Sequence, residues 1–151
     1  YKEVNKNFNE FFKRLFTGGK AELQLLGDEI LDTGLQVSAQ PPGKKNTTIN
    51  LLSGGEKALT AISLIFALFK LNPSPFCVMD EVDAPLDDTN TGNFCSLVKE
   101  MAEKTQFLIV THNRITMEIA EQLIGVTQQE LGVSRIVEVD MRDIDEMELA
   151  Y

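Results

Sequence analysis

Phe76-Cys77-Val78-Met79-Asp80-Glu81 is a short apolar run that ends on two carboxylates. Asn72-Pro73-Ser74-Pro75 bounds it upstream, so it reads as a strand, and its apolar character on both faces predicts a strand covered on both sides. Phe107-Leu108-Ile109-Val110 repeats the pattern after a helical stretch from about Thr89 to Lys104. Strand, helix and strand at this spacing make a crossover unit whose two strands run parallel. The spacing therefore predicts an α/β fold.

In open parallel sheets, ligands bind beyond the carboxyl ends of the strands. Asp80 and Glu81 fall at that edge. So does His112, the only histidine, in Val110-Thr111-His112. A carboxylate there can hold Mg²⁺ directly or through water, since the ion prefers oxygen ligands and keeps several waters. An adjacent carboxylate can polarise an attacking water. Histidine can donate to a phosphate oxygen or to that water, and its charge is tunable near neutral pH. Taken singly, the acid pair favours chemistry only modestly and a lone histidine is more often structural; their shared edge strengthens the functional reading.

Upstream, Ser53-Gly54-Gly55-Glu56 opens a helix over residues 55–70 that is apolar almost all round and is expected to be buried on most sides. Ser followed three residues later by Glu is a capping box. A cap does not need the two glycines. Glycines serve where another group approaches the backbone, and a helix N-terminus with free amides is an anion site. The loop reads both as a cap and as a phosphate contact.

Working outward, Val4, Phe8, Phe11, Phe12, Leu15 and Phe16 recur at helical spacing, which predicts an amphipathic helix over 2–16 ended by Gly18-Gly19. Leu23, Leu25, Leu35, Val37 and Ala39 alternate with polar residues as two half-buried strands within 21–39. Gly27-Asp28-Glu29 and Asp32-Thr33-Gly34 between them are turn chemistry. Pro41 to Asn46 reads as an exposed polar loop. A helix is expected around Thr116 to Gln122, then strands at Leu123–Thr127 and Arg135–Asp140 joined by Gln128–Gly132. An acidic tail follows from Met141, with Asp143, Asp145, Glu146 and Glu148. The whole, 1–151, is expected to be one domain.

The 151 residues, 43% hydrophobic and 25% charged, suffice for one globular core. The formal charge of -9 argues against a broad grip on DNA by this piece alone, because phosphate binding runs on clustered Lys and Arg. No apolar run reaches the roughly 20 residues of a membrane span. Cys77 and Cys95 lie in segments expected to be buried, which suits a reducing compartment. The opening Tyr-Lys-Glu-Val-Asn is neither a start methionine nor a signal peptide and reads as a point inside a longer protein. Gly18-Gly19-Lys20 is followed by Ala21, and Gly43-Lys44 by Lys45, so neither fits the phosphate loop G-x-x-x-x-G-K-[ST].

In order, Leu52-Ser53-Gly54-Gly55-Glu56, the apolar helix, Asp80-Glu81, Ala84-Pro85-Leu86-Asp87 and Val110-Thr111-His112 resemble the C-terminal half of an ABC-type ATPase head. Leu51 to Ala61, Asp80 to Asp88 and Gly125 to Arg135 resemble the bacterial branch of the structural maintenance of chromosomes (SMC) family. Transporter ATPases usually follow the acid pair with Pro-Thr, and this chain has Val82-Asp83. The resemblance implies a P-loop NTPase lobe with a mostly parallel sheet flanked by helices, an N-terminal helix and extra antiparallel strands. Within it, 1–16 would be the end of a coiled coil or the helix it feeds, 21–39 the strands, and 51–151 the catalytic lobe.

It further implies ATP and Mg²⁺ as cofactors. Asp80 would serve the metal in the Walker B motif, Glu81 would be the general base, His112 the switch histidine, and Asp87 part of the D-loop. Ser53, Gly54, Gly55 and Glu56 would be the signature that meets ATP on an opposite head. The implied partners are an N-terminal Walker A half of the same polypeptide, a second SMC head, a kleisin subunit near residues 123–151, and DNA through the full complex. A cytoplasmic, nucleoid-associated protein and no membrane are expected. A head of a DNA-repair ATPase of the same superfamily, or a lobe that mainly docks a kleisin, are the alternatives.

Overall fold

The computed structural model describes residues 1–27 and 33–140. The acidic tail and the Asp28, Glu29 and Asp32 turn positions lie outside the described residues. Helix α1 (Lys2–Leu15) turns Val4, Phe8, Phe11, Phe12 and Leu15 inward, as its spacing predicts. Strands β1 (Lys20–Leu25) and β2 (Leu35–Gln40) pair antiparallel, and the short β3 (Thr47–Thr48) joins the β2 edge. Asn5 and Asn9 of α1 bind this sheet: Leu23 N donates to Asn5 Oδ1 at 2.8 Å and Ala21 N to Asn9 Oδ1 at 3.1 Å. Two amides that face the helix rather than another strand are thereby satisfied.

Helix α2 (Gly54–Leu71) packs along α1. Phe66 is the joint. Its ring lies edge-on to Phe11 at 6.2 Å and edge-on to Phe107 at 6.2 Å, so one buried aromatic links α1, α2 and the parallel sheet. Burying such a ring contributes on the order of 1.5–3 kcal/mol, and edge-on pairs add to that. The Arg14–Glu100 pair at 2.6 Å and the Lys70–Glu10 pair at 3.1 Å are exposed and contribute little. Not all of α2 is covered, against expectation: Ile65, Leu68 and Leu71 face outward.

Strand β4 (Phe76–Asp80), helix α3 (Asp88–Ala102) and strand β5 (Gln106–Val110) form the predicted crossover, and β4 pairs parallel with β5 from Phe76↔Gln106 to Asp80↔Val110. Thr105 Oγ1 and Gln106 N bond the carbonyls of Ser74 and Pro75 at 2.7 and 3.0 Å, setting that register. The α/β class holds, but the expected mostly parallel sheet does not: among the described residues β4–β5 pair parallel, while β1–β2–β3 and β6–β7 pair antiparallel. The expectation that both faces of β4 are covered does not hold. Met79, Cys77, Phe107 and Ile109 face the core, whereas Phe76, Val78, Leu108 and Val110 are each more than half exposed. One whole apolar face of a parallel pair stands open, and such sheets are otherwise buried on both faces.

Helix α4 (Arg114–Met117) is shorter and earlier than the expected Thr116–Gln122. Asn113 starts it by accepting from Ile115 N at 2.9 Å, and β6 (Gln122–Glu130) has already begun at Gln122. Strands β6 and β7 (Val133–Asp140) form an antiparallel hairpin with a shorter turn than expected, Leu131-Gly132, and an irregularity between Gln128 and Glu130. Gly132 takes φ 80, which a tight turn demands and a side chain opposes. Ile124, Val126, Ile136 and Val137 of the hairpin are exposed. Pro41 is buried, while the rest of the Pro41–Asn46 loop is exposed. No helix among the described residues is long and apolar enough to cross a membrane.

Candidate functional site

Asp80 is the last residue of β4 and is exposed; its carboxylate has no hydrogen bond or ion pair with the described residues. An unengaged oxygen donor at a strand end fits an ion that takes one or two protein carboxylates and fills its shell with water and phosphate oxygens. Glu81 follows with φ 48, a left-handed conformation that a non-glycine residue rarely holds. Glu81 N donates to Val110 O at 2.8 Å and Ala84 N donates to Glu81 O at 3.2 Å, so the peptide is gripped on both sides of the kink. The kink sends the Glu81 side chain away from the strand direction, toward the end of β5.

There His112 Nδ1 stands 3.9 Å from Glu81 Oε1, beyond hydrogen-bond range, with both side chains largely exposed. The acid pair and the histidine thus share one open edge, as their spacing predicts.

Ser53 caps α2 with both halves of a capping box: Glu56 N donates to Ser53 Oγ at 3.4 Å and Ser53 N to Glu56 Oε2 at 2.9 Å. Ser53 Oγ accepts in the cap, and its hydroxyl also supports the charge of the Glu56 carboxylate. Lys44 Nζ reaches Glu56 Oε1 at 2.7 Å from the Pro41–Asn46 loop. That hydrogen bond, followed by the Ser53 N–H, holds the Glu56 carboxyl below its ordinary range. Gly54 faces open space, as a phosphate contact requires. Asp87 caps α3 by accepting from Asn90 N at 2.8 Å.

Asp83 is a structural residue that none of the motifs names. It is 1% exposed and its Oδ2 accepts from Thr111 Oγ1 at 2.6 Å and Thr116 Oγ1 at 2.5 Å. The available signal was an acid inside the otherwise apolar Val82 to Leu86, matched by Thr111 just before His112. Cys95 is buried and Cys77 half-buried; burial pushes both thiols up, which suits inert core residues.

A capped glycine-rich helix start, an acid pair closing a parallel strand and a histidine just past its neighbour stand on a lobe of the P-loop, ABC-ATPase fold. The family model described as "RecF/RecN/SMC N terminal domain" matches residues 7–135, and the chain belongs to that family, in the head region of an SMC protein. "Chromosome partition protein Smc" of Burkholderia pseudomallei (strain 1710b) is 67% identical over 141 residues, covering 93% of this chain and 12% of the relative. The chain therefore spans about an eighth of such relatives, by the 12% coverage.

Among solved structures, the Smc head domain with an extended coiled coil bound to the C-terminal domain of ScpA, from Pyrococcus furiosus, superposes with TM-score 0.93. That pair is 37% identical, over 99% of this chain and 37% of that one. A structure described under ATP-driven dimerization and DNA-stimulated activation of SMC ATPases gives TM-score 0.80 at 36% identity, over 97% of this chain and 92% of that one.

Proposed function

We propose that this chain is the C-terminal half of an SMC ATPase head and completes an ATP site whose phosphate loop lies on another segment of the same polypeptide. The observation that carries the proposal is the open face of the parallel pair, Phe76, Val78, Leu108 and Val110, which runs up to Asp80. A parallel sheet bare on one face lacks a covering layer. The segment supplying that layer would sit against the catalytic edge. The matching family description names an N-terminal domain; the assignment to the C-terminal half rests on the motifs this chain holds and on its having no G-x-x-x-x-G-K-[ST] run. The solved chain covered to 92% supports a lobe of this extent as a unit.

In this reading Asp80 holds Mg²⁺, which neutralises phosphate charge when bound. Glu81 accepts the hydrogen bond of the attacking water and orients it. His112, beside Glu81, donates to a phosphate oxygen. Ser53 turns its hydroxyl, and Gly54 and Gly55 their amides, to ATP on a second copy of the head, with Asp87 near that junction and Glu56 holding the cap. Catalysis is positioning and charge stabilisation, as phosphoryl transfer demands. The protein as a whole would act in chromosome partition on DNA in the cytoplasm, as the name of its relatives suggests. The exposed apolar hairpin β6–β7 favours this end of the lobe as the seat of a kleisin of the ScpA kind.

Lysine at Val78 and Leu108 tests the covering layer. Both positions are exposed in the lobe. The double variant is expected to stay folded and to lose co-purification with the phosphate-loop half. Undiminished association would contradict the assignment.

A further inference from the structure

Asp83 is the one acid fully buried in the described core, and its surroundings are specific. Its Oδ2 accepts hydrogen bonds from two hydroxyls, that of Thr111 just past β5 and that of Thr116 in α4. Thr111 Oγ1 in turn accepts from Asn113 N at 2.9 Å. His112 lies between those two residues, so the turn that carries it is stitched at both shoulders. Behind it, Asn113 Nδ2 reaches Thr91 Oγ1 of α3 at 3.5 Å and Cys95 Sγ lies 3.9 Å from Thr116 Oγ1. On the other side, Asp83 belongs to the same short segment as Glu81. Its carbonyl accepts from Leu86 N at 3.0 Å, just before Asp87.

A buried carboxylate is costly unless its hydrogen bonds are good, and a neutral side chain could fill the same space. Bonds to an ionised acceptor are short and strong. The cost is offset here by fixing two loops against each other.

Resting on the ATPase reading above, we infer that Asp83 is a positioning residue that locks the Glu81 turn to the His112 turn, holding base and histidine in the separation hydrolysis requires. It touches no substrate and acts through Thr111 and Thr116. Loosening it displaces His112 and Glu81 relative to each other while leaving the nucleotide-binding groups in place.

The test uses the intact protein. Asp83→Ala lowers kcat by about tenfold to a hundredfold, the scale of a small misplacement, with KM for ATP unchanged. Asp83→Asn keeps an oxygen acceptor and recovers most of the loss. Thr111→Val, which leaves Asp83 in place and removes the hydroxyl that bonds Asp83 and Asn113 N, reproduces the loss even where Asp83→Ala folds poorly. Thr111→Ser restores it, and adding Thr111→Val to Asp83→Ala costs little more. Thr111→Val turning over like the wild type, or KM rising with kcat constant, overturns the inference. Amide exchange across 110–116 without nucleotide is a readout that needs no turnover: it speeds up in both variants, and unchanged exchange overturns the lock. Wild-type turnover indifferent to Glu81→Gln would overturn the ATPase reading instead, with the exchange result still deciding the lock.

Discussion

Gly55 abuts Pro85 so closely that a Cβ on Gly55 would lie 2.7 Å from the Pro85 carbonyl oxygen. The second glycine of α2 and the segment following the acid pair are thus closely apposed within one lobe. A Cβ on Gly54, its neighbour, would meet nothing within 4 Å.

The two glycines should therefore fail differently. Gly55→Ala must push the helix start off Pro85, lowering both thermal stability and ATP-dependent dimerisation. Gly54→Ala should keep wild-type stability and lose dimerisation only, since it obstructs an outside group. Melting curves and sedimentation with ATP separate the two.

Glu81 is held at φ 48. Glycine tolerates that conformation and alanine does not, so Glu81→Gly should be more stable than Glu81→Ala by roughly 1 kcal/mol, the left-handed penalty less the glycine entropy. Both variants should be inactive. Denaturant unfolding measures the difference, and alanine equalling glycine would show the backbone relaxes.

Glu56 makes the signature cap sensitive to acid. Its carboxyl is lowered from the ordinary 4.5, first by the Lys44 hydrogen bond and then by the Ser53 N–H. A lowered carboxylate contributes stability that is present above 4.5 and is lost as pH falls through its folded value. Lys44→Met should shrink that acid-dependent part without changing stability at neutral pH by more than about 1 kcal/mol. Unfolding titrations between neutral and acidic pH measure it.

The fold was legible where a run of residues carried its own signal. Phe8, Phe11, Phe12 and Leu15 announced α1, and Ser53 with Glu56 announced the cap of α2. The edge shared by Asp80, Glu81 and His112 followed from two parallel strands. What was missed depended on partners far along the chain. An apolar strand such as β4 looks the same whether its second face is covered by this chain or by another, so the open face of Val78 and Leu108 could not be read from it. The short α4 was set by the Asn113 cap and by β6 claiming Gln122, which outweighed helical propensity. The left-handed Glu81 and the buried Asp83 are tertiary facts, created by Val110, Thr111 and Thr116 some thirty residues downstream by sequence numbering.

The most direct measurement is ATP turnover by this chain alone, by this chain joined with its phosphate-loop half, and by that pair carrying Glu81→Gln. No turnover is expected from the chain alone, turnover with ATP-dependent dimerisation from the joined halves, and retained dimerisation without turnover from the Glu81→Gln pair. Turnover by the chain alone, or turnover of the pair undiminished by Glu81→Gln, would contradict the proposed ATP site.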